Sequence, residues 1–216
     1  MHSFSNSIYQ VVTQALADLK EAQTKGKIPK NPLSETHFLA AWITNSIKKK
    51  RFESHVSPTL TIWQRQARSL GKNAALVETF TTIKNNYEHV FDQHLKTQPV
   101  QKEQITTLCQ LLTQQDWMVT TDLEIGERLN RHSDGKSSLI ICHHALTNSF
   151  EHDLLAKPIS LYIRGNIEDA LRLAYQQSLL LYKITDYKSK VKYHGEYIVY
   201  PNNDGEFLPE LVSLIA

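Results

Sequence analysis

The basic residues between positions 48 and 72 are the clearest group whose charge could bind a ligand. Four of them are consecutive at the end of one predicted helix, and the others lie on or just beyond the next. Arg can contact base edges and Lys can neutralise phosphates, so this order predicts a nucleic-acid or anion-binding surface resembling a helix-turn-helix. The candidate residues are Lys48, Lys49, Lys50, Arg51, Arg65, Arg68 and Lys72.

The same cations also have a purely structural interpretation. Basic side chains at the C-terminal end of a helix interact favourably with the helix dipole. The connection between the two predicted helices contains no Gly and is longer than the roughly three to four residues usual in a helix-turn-helix. A solvated helix end and a nucleic-acid surface therefore both remain interpretations of this segment.

Ten histidines raise the question of a metal site. His143 and His144 are adjacent, and one of them could join His152 and Asp153 across a hairpin. Their spacing matches no zinc pattern such as H-E-x-x-H. We keep a metal-dependent enzyme that uses His143, His144 and His152 as an alternative, and we expect neither a bound metal nor a cofactor.

Other groups that could do chemistry each lack a required feature. Cys142 and His143 are neighbours on a predicted strand, where adjacent side chains point to opposite faces and cannot form a nucleophile–base pair. The fragment 135–137, Gly-Lys-Ser, resembles the end of a phosphate-binding loop, but Asn130 occupies the position of the required earlier Gly. We therefore assign no catalytic residue, and the sequence favours a protein that is not an enzyme.

Five predicted helices in the first half position the basic residues. Apolar residues recur there at spacings of three and four, the pattern of an amphipathic helix. Pro and Gly separate these segments, and Ser34 and the pair Ser57-Pro58 predict the starts of the second and third helices. Residues 1–115 are therefore predicted to form a helical domain.

The second half, residues 116–216, is predicted to form a small α+β domain. Seven of the nine tyrosines follow residue 160, and apolar residues alternate with polar ones from Ile159 to Arg164, as in a half-buried strand. The predicted order between Trp117 and Asp186 is β-α-β-β-α-β, with a helix at Asp122–Asn130. This order fits a mostly antiparallel sheet, for which a ferredoxin-like arrangement is one candidate.

The charge of the chain is unevenly distributed between these halves. Residues 1–115 contain 14 basic and 8 acidic residues, whereas residues 116–216 contain 10 and 14, giving the formal net charge of +2. A basic first half and an acidic second half predict either a partner for the first half or attraction between the two.

Composition also limits the compartment. The longest apolar run, Phe38 to Ile43, has six residues, far fewer than the about 20 that a membrane helix requires. The first residues contain no Lys or Arg and no apolar block, so no signal peptide is predicted. Cys109 and Cys142 lie among apolar neighbours, which predicts buried reduced thiols in a cytoplasmic protein.

Several short segments together resemble an uncharacterised bacterial family, domain of unknown function number 2913. These segments are Phe38-Leu39-Ala40-Ala41-Trp42, the basic stretch into Phe52, Gln66-Ala67-Arg68-Ser69-Leu70-Gly71, Asp116-Trp117 and the strand–Gly165-Asn166–helix element. The resemblance implies a bacterial cytoplasmic protein of about this length. It implies no activity, cofactor or site residue.

These observations favour a non-catalytic binding protein, with a regulator or adaptor that binds a protein partner as the leading hypothesis. Nucleic-acid binding through the basic segment is the first alternative. We expect no membrane partner. The oligomeric state and the identity of the partner are left open.

Overall fold

The structure is a computed structural model and describes residues 3–130, 134–186 and 188–212. Its contacts divide the described chain into two compact units, residues 3–88 and 89–212. Helices make up the first unit, and a sheet with helices makes up the second. The protein is therefore α+β, as the sequence predicts.

Four helices form the first unit and are confirmed close to their predicted positions. Each has a buried apolar stripe, and Ile8, Leu39, Ile43 and Phe80 have no exposed surface. The helices are α1 (Phe4–Thr24), α2 (Pro32–Lys48), α3 (Ser57–Leu70) and α4 (Leu76–Val90), which runs into the second unit at its end.

The starts of α2 and α3 differ from the prediction. Asn31, not Ser34, caps α2, because the side chain of Asn31 accepts the Ser34 N–H at 2.9 Å and Pro32 follows at the first helical position. A 3₁₀ turn at Ser54–Val56 leads directly into α3, so Ser57 is already helical and Val56 is the cap residue.

The first helix that lies entirely in the second unit is the fifth predicted helix, α5. Its elements are α5 (Lys102–Gln114), β1 (Met118–Thr120), β2 (Ser138–Ile141), α6 (His143–Asn148), β3 (Phe150–Glu151), β4 (Leu154–Leu155), β5 (Ile159–Arg164), α7 (Ile167–Gln176), β6 (Tyr182–Thr185) and β7 (Gly195–Val199). Helix α5 packs Ile105, Leu108 and Leu112 into the same core as the sheet. The predicted boundary after residue 115 therefore lies inside this unit.

The main sheet has the order β1-β2-β5-β7-β6, and β3 pairs with β4 in a separate hairpin. Only β1 and β2 are parallel, so the prediction of a mostly antiparallel sheet is confirmed. These parallel strands are direct neighbours, whereas a ferredoxin-like sheet places another strand between its parallel pairs. The ferredoxin-like arrangement is therefore wrong.

No helix forms at Asp122–Asn130, contrary to the prediction. The apolar side chains of Ile125 and Leu129 pack on one face of the sheet, against Ile140 and Val191, while α5 and α7 contribute to the core on the other face. Burial against the sheet thus outweighs the helical spacing of this segment.

A glycine fixes the turn from β5 into α7. Gly165 has φ +108°, and a Cβ at this position would lie 2.2 Å from Ser137 Oγ and 2.7 Å from Ser137 Cα. A side chain at residue 165 would therefore collide with the segment that leads into β2.

Among the described helices, none combines the length and the apolar character that crossing a membrane requires.

Candidate polyanion-binding surface

Helix α3 is held in the first unit by a narrow apolar stripe. Leu60, Trp63 and Ala67 are spaced by three and four residues and are buried. The Trp63 and Phe80 ring centres lie 4.7 Å apart, which joins α3 to α4. Because only this stripe is buried, most of the remaining circumference of α3 faces solvent.

Three predicted cations lie on the exposed side of this region. Arg65 and Arg68 are three residues apart on α3, and Lys72 follows in a 3₁₀ turn at Gly71–Ala74. All three side chains are exposed. Within the described part of the chain, no acidic residue forms an ion pair with any of them. Their charges are therefore available to an external anion.

Three more cations end helix α2. Lys48, Lys49 and Lys50 are exposed, and Lys50 adopts a positive φ of 48° that turns the chain away from the helix axis. None of them forms an ion pair with a described residue. Lys50 lines a cavity of about 390 Å³ together with Phe52 and Ser57. This cavity lies between the end of α2 and the start of α3.

Arg51 differs from its basic neighbours because its charge is already engaged. Its guanidinium carbon lies 5.2 Å from the Trp42 ring centre and 5.7 Å from that of Phe52. Its Nη1 atom is 3.6 Å from Asp18 Oδ2. Arg51 thus connects the end of α2 to α1, and it contributes less free charge than Lys48, Lys49 and Lys50 do.

Asp18 is the acidic partner that sequence reasoning missed. Its carboxylate accepts the Trp42 indole N–H at 2.7 Å and a Gln14 amide N–H at 2.6 Å. Burial alone would raise the pKa of Asp18, but these hydrogen bonds and the charge of Arg51 hold the pKa below its ordinary value of 3.8. Asp18 is distant from Arg51 in sequence, so no local pattern could have indicated the pair.

One polar side chain of α3 makes a hydrogen bond inside the first unit. Gln64 donates to Thr44 Oγ1 at 2.8 Å and so ties α3 to α2. Gln66 remains exposed beside Arg65. The outward face of α3 therefore offers two arginines and one glutamine.

The histidine alternative has no geometric support in the described part of the chain. His143 and His144 begin α6 instead of ending a strand, and His152 lies in the β3–β4 turn with φ 50°. His144 shares a hydrogen bond with Asn148, 3.1 Å away. Across the described residues, no three His, Cys, Asp or Glu side chains gather where they could hold a metal ion.

Neither cysteine forms a disulfide, and both are half-buried. Burial raises the pKa of the Cys109 thiol to about 11, which keeps it protonated and unreactive. The Cys142 thiol donates to Glu124 Oε2 at 3.5 Å.

A serine–histidine pair in the second unit also escaped sequence reasoning. Ser138 Oγ and His194 Nε2 are 2.9 Å apart, the distance of a nucleophile and its base, but the two residues are 56 positions apart. Both residues are completely buried, so no substrate could reach the pair. Burial lowers the pKa of His194, which favours a neutral ring whose Nε2 accepts a hydrogen bond from the Ser138 hydroxyl. The pair is therefore structural.

A second group of cations lies in the second unit. Arg164 and Lys192 flank the exposed ring of Tyr193, and Lys188, Lys190 and Lys192 alternate with buried residues. This alternation is visible in the sequence and is the signal that could have found the group.

A family model described as a protein of unknown function (DUF2913) matches residues 3–212. No curated protein and no solved structure matches the chain.

Proposed function

We propose that this chain, which belongs to the DUF2913 family of proteins of unknown function, is a non-catalytic protein that binds nucleic acid through α3 and the end of α2. The family description assigns no activity. The proposal therefore rests on the chemistry of the chain's own surface.

The observation that supports the proposal is the concentration of unpaired positive charge. Residues 48–72 contain seven basic residues and one acidic residue, Glu53. Six of the seven cations are exposed and have no ion-pair partner among the described residues, the exception being Arg51. Such a surface attracts phosphates, and its affinity should fall as salt increases.

The shape of α3 suits a nucleic-acid groove. Its 14 residues extend over about 21 Å at about 1.5 Å per residue. A helix with side chains is about 10–12 Å wide, and the major groove of B-DNA is about 12 Å wide. Arg65, Gln66 and Arg68 are residue types that contact phosphates and base edges.

An acidic protein partner is a second candidate for the same surface. Two large apolar side chains on α3 are exposed beside the cations, Ile62 at 51% and Leu70 at 52%. Apolar contacts surrounded by charge are common at protein interfaces. This candidate would make the chain a regulator or adaptor of an acidic protein.

The test is binding of a fluorescent DNA duplex of about 20 base pairs, followed by anisotropy as NaCl is raised from about 50 mM to about 200 mM. If three cations contact phosphates, this rise in salt should weaken binding about 40-fold. The triple variant Arg65→Glu, Arg68→Glu, Lys72→Glu should abolish binding at the lowest salt.

A matched triple variant controls for net charge. Lys20→Glu, Lys27→Glu and Lys30→Glu reverse three exposed cations elsewhere in the first unit and should leave most of the affinity. Absence of binding at low salt, or equal losses in both triple variants, would refute nucleic-acid binding through α3. Binding of a polyglutamate peptide, but not of DNA, would instead support the acidic protein partner.

A further inference from the structure

Tyr193 is the most exposed of the large apolar or aromatic side chains, with 56% of its surface accessible among those described. Lys192 Nζ lies 4.7 Å from its ring centre, and the guanidinium carbon of Arg164 lies 5.8 Å from it. Both cations are therefore grouped around one phenol. The face that Tyr193 presents to solvent is strongly positive.

Buried hydrogen bonds hold the segment that presents Tyr193. His194 Nδ1 lies 3.0 Å from the Lys192 carbonyl oxygen. Ser189 Oγ lies 2.6 Å from the Val191 carbonyl oxygen and 2.7 Å from that of His194. Tyr193 itself has φ 67°, a left-handed conformation that is uncommon for a residue with a side chain. The conformation is thus fixed before any ligand arrives.

Further cations extend the group. Lys188 and Lys190 are exposed on either side of the buried Ser189. Leu129 donates its N–H to the Lys190 carbonyl at 2.8 Å and accepts the Lys192 N–H at 2.9 Å, which brings the exposed Arg128 alongside. No ion pair engages any of these cations within the described residues.

The charges act on Tyr193 itself. The nearby Lys192 ammonium lowers the pKa of the Tyr193 phenol most, and the charges of Arg164 and Arg128 lower it further. A group that stabilises phenolate also stabilises other oxyanions at the same place.

A cavity of about 260 Å³ lies beside this group, lined by Arg164 and Tyr193. Gly165 and Gly195 form part of its wall, so no side chain of theirs fills it. Asp186 also lines the cavity, but its carboxylate is 2.8 Å from Lys183 Nζ, which offsets its charge. The volume is close to the lower end of ligand pockets, about 300 Å³.

We propose that Arg164, Lys192 and Tyr193 form a binding site for the phosphate group of a phosphate ester. The guanidinium supplies paired N–H donors, the ammonium supplies charge, and the phenol supplies a hydroxyl donor. The ester belongs either to a small phosphorylated molecule whose body enters the cavity or to the backbone of a nucleic acid. The site lies wholly in the second unit and does not depend on the proposed role of α3.

The experiment is calorimetric titration of the full chain with three probes: inorganic phosphate, adenosine monophosphate and an oligothymidylate of about ten nucleotides. Arg164→Gln should lower the affinity for the probe that binds by about tenfold or more, because a charge-assisted hydrogen bond to the phosphate is lost. Lys192→Gln tests the same site at a half-buried side chain that lies outside the strands of the sheet. Lys157→Gln, an exposed lysine of the same unit, is the matched control and should change nothing.

A second measurement distinguishes a direct contact from a folding effect. Bound phosphate should raise the Tyr193 pKa, seen as the ultraviolet phenolate transition that Tyr193→Phe removes. Adenosine monophosphate binding would identify a small ester, and oligothymidylate binding alone would identify a nucleic-acid backbone. Absence of binding by all three probes, or equal affinity in Arg164→Gln, Lys192→Gln and the control, would overturn the site.

Discussion

The two units present positive charge in different ways. In the first unit, a regular helix displays Arg65 and Arg68 because its opposite side is buried through Leu60, Trp63 and Ala67. In the second unit, an irregular segment displays Tyr193 and Lys192. The buried side chains of Ser189 and His194 hold this segment through hydrogen bonds to its backbone carbonyl groups.

This difference shows that apolar packing is sufficient to orient a helix face, whereas a loop requires buried polar contacts. A helix satisfies its own backbone groups, so only its rotation about the axis needs to be fixed. A loop leaves backbone carbonyls unpaired, and each buried one needs a partner. The first surface should therefore be sensitive to loss of apolar volume, and the second to loss of hydrogen bonds and to acid.

The largest effect should come from Trp63→Ala. Trp63 is 3% exposed and packs on Phe80, so its truncation should lower the free energy of unfolding by about 3–5 kcal/mol. Chemical denaturation measures the change. Ile62→Ala, on the exposed side of the same helix, is the control and should cost no more than about 0.5 kcal/mol. Similar losses in both variants would contradict the assignment of the buried stripe.

An intermediate effect is expected from His194→Gln. A buried hydrogen bond left without one partner costs about 1–3 kcal/mol, and His194 bonds both Ser138 and the Lys192 carbonyl. Gln can replace only part of this geometry. The loss should be largest near neutral pH, where the wild-type ring is neutral.

The same variant tests the acid response of the second unit. Because burial lowers the pKa of His194 in the folded state, the unfolded chain binds more protons below its ordinary pKa of 6.5. The contribution of His194 to the wild-type free energy of unfolding is therefore complete above pH 6.5 and decreases as the pH falls below that value. Thermal unfolding between about pH 7 and about pH 5 should therefore show a weaker pH dependence in His194→Gln than in wild type. Identical slopes would show that folding does not shift the pKa of His194, which would contradict its burial as a neutral ring.

The smallest effect should come from Asp18→Asn in the first unit. The carboxylate is partly exposed, so losing its charge should cost no more than about 1 kcal/mol. Because its folded pKa is lowered, the contribution is present above 3.8 and is lost as pH falls below that value. Acid unfolding of wild type and variant should therefore converge at low pH. A difference that persists well below this value would mean that Asp18 acts through packing.

The helices and most strands could be predicted because their apolar spacing coincides with what they bury. Periodicity located α1 to α5, and alternation located β5. The segment 122–130 shows the limit of this reasoning. Its apolar residues suit a helix, yet Ile125 and Leu129 cover the sheet beside Val191. A local pattern does not contain the distant strands that decide between these outcomes.

The sequence predicted which cations form the candidate polyanion-binding surface, but not which side chains in other helices pair with its residues. Exposure of Arg65 and Arg68 follows from helical spacing, whereas the pairing of Arg51 with Asp18 and of Gln64 with Thr44 joins different helices. The group around Tyr193 depends on contacts between segments far apart in the chain, such as Leu129 with Lys190. These contacts follow from the fold, and no short motif encodes them.

The order of the main sheet has a consequence for solubility. Its two edge strands, β1 and β6, have only three and four residues. A bulge between Lys183 and Thr185 interrupts the pairing of β6 with β7. Short, irregular edge strands are a poor template for pairing with strands of other molecules. The long strand β5 lies between β2 and β7 with both sides paired. The architecture thus keeps its longest strand from joining an intermolecular sheet.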